Sequence, residues 1–379
     1  MAIIYKEVLA IVSGVMAGKL KGIFEGLAVD FGEKIKQIVD NNILEYQIQE
    51  YQRNSLTKTL LHRVEPKNLK EIYQPLFVFK CDPGKWVDET VRIPTNSISK
   101  FFEDKRCITL IGGAGSGKTT IVKYLFLNSL DTNFKVPVKI ELRYLNDFQG
   151  SLIDFVKEKV FKLNKLATDG KIIERLMNSG DFVFFLDGYD EINSSKKERI
   201  TKEIDDLVKL YNTNHYLLTS RPYTDIELLP LFHNYEVCEL SDEDINQFIV
   251  KQIPIVEIEL RDKIISSVNS AENVSYKSFL SNPLLLSMFI LTFQSYSNIP
   301  AKRSEFYNQV FDALFSLHDS MSKLAFIREK QSGLSKEQFI EVLKLFSFIS
   351  YFDQTFIFTS TYLNEKLGII KSKKPALNF

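Results

Sequence analysis

Residues 112 to 119 read Gly112-Gly-Ala-Gly-Ser-Gly-Lys-Thr119, directly after the apolar run Cys107-Ile-Thr-Leu-Ile111. The spacing is G-x-x-x-x-G-K-[ST], leaving a strand and entering a helix. Glycines let the backbone curl until several N–H groups point at one anion. Lys118 has the length to reach the β- and γ-phosphates of a nucleotide, and the Thr119 hydroxyl is a magnesium ligand. A helix over about 118–129 aims the positive end of its dipole at the same point. Gly112, Gly113, Ala114, Gly115, Ser116, Gly117, Lys118, Thr119 and Thr120 are therefore the expected phosphate-binding element.

The 379 residues suggest two or three domains. Lys+Arg and Asp+Glu both total 48, so no bulk charge argues for nucleic acid or an acidic membrane surface. Cys81, Cys107 and Cys238 lie far apart, which suits a reducing cytoplasm and gives neither a disulfide framework nor a zinc site. Val8–Gly18 is apolar but well short of the roughly 20 residues of a membrane span. It is expected to pack on its own protein or on a copy of itself, with a membrane-active or partner-binding helix as the minor alternative.

Outward from the phosphate loop, the pattern alternates strand and helix. Val136–Leu142, Phe182–Leu186, Tyr216–Thr219 and Tyr235–Leu240 read as strands, with helical stretches near 151–163, 171–179 and 195–211. This predicts an α/β fold with a parallel sheet covered by helices on both faces. Residues 1–75 read as helical, from the spacing of Ile35, Ile38, Val39, Leu44, Ile48, Leu56, Leu60 and Leu61. Residues 76–105 read as a connector with turns at Pro83-Gly84 and Pro94. The nucleotide domain is expected over 106–240 and a helical subdomain, opened by Ser241-Asp-Glu-Asp244, over 241–330. A further region follows over 331–379, with Ser335 and Gln338 starting a helix.

Leu186-Asp-Gly-Tyr-Asp-Glu191 ends the Phe182 strand. Strand C-termini line the ligand crevice of a parallel sheet, which places Asp187 to hold Mg²⁺. Asp190 and Glu191 fall where a carboxylate can orient an attacking water. In Leu217-Leu-Thr-Ser-Arg-Pro222, Arg221 is placed to touch the γ-phosphate by charge-assisted hydrogen bonds. In Leu280-Ser-Asn-Pro-Leu-Leu-Leu286, Pro283 offers a flat apolar face to an adenine ring, or simply opens a core helix. Asn164-Lys165 is followed by Leu166-Ala167, so it is not a guanine-reading Asn-Lys-x-Asp motif.

Taken in order, these motifs resemble the NACHT branch of the STAND nucleotide-switch ATPases, over about 100–355. The resemblance implies phosphate binding on Gly112–Thr120, Mg²⁺ on Asp187, an acidic pair at Asp190 and Glu191, a sensor arginine at Arg221 and a nucleotide-contacting proline at Pro283. Ile299–Tyr307 also looks like the family's helical subdomain, and Glu45–Pro75 like the extension preceding bacterial NACHT modules. Family members continue through a winged-helix domain whose histidine contacts ADP. Here no histidine follows His318 and the sequence stops at Phe379. Residues 331–379 are thus expected to begin a winged-helix-like region, in either a truncated module or an unusually short protein.

The implied activity is that of a cytoplasmic ATPase switch. It binds ATP or ADP with Mg²⁺, hydrolyses slowly and assembles into a homo-oligomer when activated. By family analogy it serves prokaryotic antiphage defence, triggered by a foreign, phage-derived component. Two alternatives stand beside this: a nucleotide-binding scaffold whose residues 1–75 recruit a partner, and an AAA+-like motor ATPase.

Overall fold

Strands buried on both faces set the architecture. In the computed structural model, which describes residues 2–62, 65–81, 91–163, 166, 169–270, 277–296, 304–312, 334–355 and 358–375, nine strands are assigned. In chain order they are β1 (Leu56–Thr57), β2 (Lys67–Asn68), β3 (Phe77–Lys80), β4 (Ile93–Pro94) and β5 (Cys107–Ile111), then β6 (Val136–Glu141), β7 (Phe182–Asp187), β8 (His215–Ser220) and β9 (His233–Val237). All residues of β5 and β7 are buried, which requires helices over both faces of the sheet. The seven-stranded sheet has the order β4-β3-β9-β5-β8-β7-β6. Its β9, β5, β8, β7 and β6 run parallel, as the alternating sequence pattern predicts.

The sheet extends beyond that pattern. β3 pairs antiparallel with β9, and β4 pairs antiparallel with β3, so the stretch read as a connector supplies one edge. Residue runs this short carry no periodicity to read. Pro83-Gly84, Asn164-Lys165, Ile299–Arg303 and His318 lie outside the described residues.

The chain divides into two compact units, Met1–Gln294 and Ser295–Phe379. In the first, helices Ala2–Lys19, Lys21–Phe31 and Glu33–Ser55 precede the sheet. Val8, Val12, Val15 and Met16 are buried, so the apolar stretch near the N-terminus packs on its own protein. Among the described residues no helix is long and apolar enough to cross a membrane. The third helix stops at Ser55 rather than continuing through Leu60 and Leu61, because Leu56–Thr57 pairs with Lys67–Asn68 as β1 and β2. Near 151–163, helix Leu152–Phe155 runs on as a π-helical turn, Val156–Val160.

The second unit holds helices 304–312, Lys336–Phe352 and Ser360–Lys373. Leu334 and Val342 are buried there, with Phe339 and Leu367 packed on them. Ser335 and Gln338 form a capping box at the start of Lys336–Phe352, as their spacing predicts.

The third N-terminal helix also closes an open edge of the sheet. β6 is an end strand, and Pro137 within it has no N–H to offer a neighbour. The Tyr46 hydroxyl donates to Lys139 O at 3.1 Å and accepts from Lys139 N at 2.9 Å, while Gln47 Nε2 donates to Pro137 O at 2.6 Å. Side chains from a helix thus satisfy backbone groups that a further strand would otherwise claim. Burial raises the Tyr46 hydroxyl far above its ordinary range, so it stays protonated and can donate. Tyr46→Phe leaves both Lys139 backbone groups without this partner. It is expected to cost roughly 1–3 kcal/mol in urea unfolding, and a loss within experimental error would show the edge to be satisfied by water instead.

Candidate functional site

The strand order fixes where the chemistry collects. β8 lies between β5 and β7, with Ile111 beside Ser220 and Leu186 beside Leu218. All three strands run the same way, so Gly112, Asp187 and Arg221 emerge at one end of the sheet.

The phosphate loop has the backbone its glycines permit. Gly115 and Gly117 sit at φ +76° and +93°, which other residues adopt only under strain. A side chain at Gly112 would begin 2.5 Å from Ser116 Oγ. Helix Lys118–Asp131 starts directly after the loop. Lys118 Nζ donates to Gly112 O at 2.6 Å and Gly113 O at 3.2 Å. Burial holds its ammonium below the usual lysine range. Arg221 acts in the same sense, against Asp190, Asp187 and Glu191.

Asp187 ends β7 and is 7% exposed. Its Oδ1 accepts from Thr219 Oγ1 at 2.7 Å and from Thr119 Oγ1 at 3.4 Å. Gly188 N donates to Thr219 Oγ1 at 2.8 Å, and Gly188 itself is left-handed at φ +85°. One hydroxyl on the intervening strand therefore fixes both the carboxylate and the turn that follows it. Asp190 and Glu191 lie on that turn, Tyr189–Glu191. Arg221 Nε stands 2.8 Å from Asp190 Oδ2.

Glu191 faces a second set of groups. Arg143 Nη1 is 3.8 Å from Glu191 Oε2, and its Nη2 contacts Glu141. Asn146 Nδ2 donates to Glu191 O at 3.0 Å, and Asn146 Oδ1 accepts from Asn193 N at 2.9 Å. Burial raises the Glu191 carboxyl above its ordinary range. Arg143 opposes this, while Asp190, Asp187 and Glu141 add to it.

The glycine loop, Asp187, Asp190, Glu191, Thr219 and Arg221 border a 410 Å³ cavity. Ala114–Thr120, Asp187, Asp190, Glu191, Arg221 and Pro283 all line it, so the predicted residues converge. Gly112 and Gly113 are not among the lining residues and serve instead as the acceptors for Lys118. The remaining wall includes Thr57, Leu60, Tyr73 and Gln74. The Thr119 hydroxyl and Asp187 carboxylate are hard oxygen donors on one edge of the cavity, which fits a magnesium ion completed by phosphate and water. The Ser116 hydroxyl is buried without a hydrogen-bond partner, packed against Gly112.

Sequence reasoning missed several neighbours. Thr219 opens Thr-Ser-Arg-Pro at the polar end of an apolar strand, and that change of character was its signal. Glu141 and Arg143 sit at the end of β6 as Asp187 sits at the end of β7, so the same strand-end rule finds them. Thr57, Leu60, Tyr73 and Gln74 belong to no motif and reach the cavity through tertiary packing alone.

The profile of the NACHT domain matches residues 106–254. Residues 106–254 form a NACHT domain. It is a nucleotide-binding NTPase module, built here on the sheet and loop just described. No curated protein matches the chain. Among solved structures, the Walker-type ATPase PABY2304 of Pyrococcus abyssi is 11% identical, with 73% of this chain and 87% of that one covered and a TM-score of 0.39. The ORC1 protein of Aeropyrum pernix, solved in complex with DNA, is 10% identical, with 74% and 75% covered and a TM-score of 0.38. Both likenesses are too distant to bear on this chain's activity.

Thr219→Val keeps the shape of the NACHT domain's central strand and deletes the hydroxyl. It strands the Gly188 amide in the interior, with an expected loss of roughly 1–3 kcal/mol in urea unfolding. Thr219→Ser restores the hydroxyl and should recover most of the loss; equal destabilisation by both would place the effect in packing rather than in this bond.

Proposed function

We propose that the chain is an ATP-binding, slowly ATP-hydrolysing switch of the STAND type. The carrying observation is the convergence of Thr119 and Thr219 on Asp187, beside an arginine paired with Asp190 at the mouth of the phosphate loop. In this reading Ala114–Thr120 and Lys118 hold the phosphates, and Pro283 borders the nucleotide. Thr119 and Asp187 would hold Mg²⁺, which supplies neutralisation of charge on the β- and γ-phosphates.

The pairing of Arg221 with Asp190 gives the switch its chemistry. A γ-phosphate would compete with the Asp190 carboxylate for the guanidinium, and ADP lacks that competitor. Release of Arg221 frees Asp190, which then stands with Glu191 to orient water. A few kcal/mol of differential contact is enough to bias two arrangements of one protein. Homo-oligomerisation of the ATP form, a cytoplasmic setting and a role in antiphage defence with a phage-derived trigger belong to the same proposal. They rest on likeness to the NACHT family and not on site chemistry.

Multiple-turnover phosphate release from Mg²⁺·ATP tests the reading. The wild type is expected to release many equivalents, with Glu191→Gln or Asp190→Asn slowed by about a hundredfold or more. Release of one equivalent or less by the wild type would favour the scaffold instead. The pH dependence carries a sign. Glu191 works as a carboxylate and its acidity is weakened, so the acid limb of kcat should lie above the ordinary glutamate range. Arg143→Met removes the cation that lowers this value and should move the limb to still higher pH; an unmoved limb would take Glu191 out of the rate-limiting chemistry.

A further inference from the structure

Asn282 occupies a position that no motif assigns. It precedes helix Pro283–Tyr296, and its Oδ1 accepts from Leu284 N at 3.0 Å and Leu285 N at 3.3 Å. That is ordinary helix capping, with the proline at the first helical position. The other half of the amide is used differently. Asn282 Nδ2 donates to Ala114 O in the phosphate loop at 3.1 Å. Because Oδ1 must accept from the helix, the amide orientation is fixed and the nitrogen faces the loop.

Two further contacts join the same pieces. Leu284 N also lies 3.3 Å from Gly115 O. A side chain at Gly115 would begin 2.6 Å from Leu284 Cβ and 2.9 Å from Asn282 Oδ1, so the loop fits flush against the helix start. The segment is anchored on its other side, since Leu240 N donates to Ser281 O at 2.9 Å and Ser281 Oγ to Glu239 Oε2 at 2.9 Å. Residues 281–284 therefore bridge the exit from the sheet and the phosphate loop.

The choice of asparagine is informative. Serine, threonine or aspartate would cap the helix about as well. Aspartate has no hydrogen to give Ala114 O, and serine is too short to cap and reach the loop together. An amide alone meets both demands at this length.

We infer that Asn282 is a positioning residue for the phosphate loop: its side chain holds Ala114, beside the Leu284 amide on Gly115, in the anion-receiving curl and makes that curl conditional on the seating of helix Pro283–Tyr296. Moving the helix away breaks the Asn282–Ala114 bond and the Leu284–Gly115 contact together. By reciprocity, nucleotide held in the curl favours the seated helix. The inference rests on the nucleotide reading of the site and adds a route by which the helical segment senses occupancy.

The test compares wild type, Asn282→Ser and Asn282→Ala by thermal unfolding without nucleotide and by calorimetric titration with ADP. Asn282→Ser keeps the cap, so it should unfold with the wild type yet bind ADP about tenfold more weakly. Asn282→Ala should lose both thermal stability and affinity. A residue that only caps the helix would give the opposite pattern, with serine restoring stability and affinity together; ADP affinity of Asn282→Ser within about twofold of wild type overturns the inference. Asn282→Asp, the closest in shape, serves where the serine variant is unstable, with the same weakening expected and the same result overturning it. Failure of the wild type itself to bind ADP would instead remove the nucleotide reading on which the inference stands.

Discussion

The site depends on β8 lying between the strand that leads into the phosphate loop and the strand that ends in Asp187. Without that interposition the Thr119 and Asp187 oxygens would have nothing between them to hold their separation. With it, Thr219 sits where one hydroxyl can donate to Asp187 and accept from Gly188. Arg221, two residues further on, is carried to the mouth of the loop, where it meets Asp190. A parallel sheet with this order therefore positions the glycine loop, the Thr119 and Asp187 oxygens and the arginine by backbone pairing, before any side chain has been chosen.

Charge balance within the cavity follows from the same crowding. Lys118 is pressed toward neutrality by burial and held charged by three acidic residues, while Glu191 is pressed toward protonation. Each group is partly stripped of water and incompletely matched. Such an arrangement costs stability in isolation and favours a highly charged ligand that brings both phosphates and a cation. The third N-terminal helix contributes at a distance from this chemistry, by closing the β6 edge through Tyr46 and Gln47, and Thr57, Leu60, Tyr73 and Gln74 after it reach the cavity wall.

Much of this was legible in the sequence, and the reasons are specific. The phosphate loop was readable because a backbone that receives an anion needs glycine at fixed places, two of which are left-handed here. Asp187 was readable because it ends an unbroken apolar strand, and Asp190 and Glu191 because they follow on the turn just beyond it. Ser241 and Ser335 were readable as caps, and both accept from the amide three residues on. Leu60 and Leu61 misled because helical spacing continues past Ser55, where a two-residue ladder takes over. β3 and β4 were too short to show a period. Asn282 was hidden because its distinctive hydrogen bond crosses 168 residues of chain.

The central claim is that the Lys118 ammonium, drawn into the glycine loop by two carbonyls, exchanges those carbonyls for the phosphates of a nucleotide. Equilibrium binding of Mg²⁺·ATP to the wild type and to Lys118→Ala, measured by calorimetry on proteins shown to unfold alike, tests it most directly. The account predicts wild-type binding and a loss of about thirtyfold or more in the variant, from one charge-assisted contact in a partly desolvated site. Equal affinity in the two proteins would contradict it.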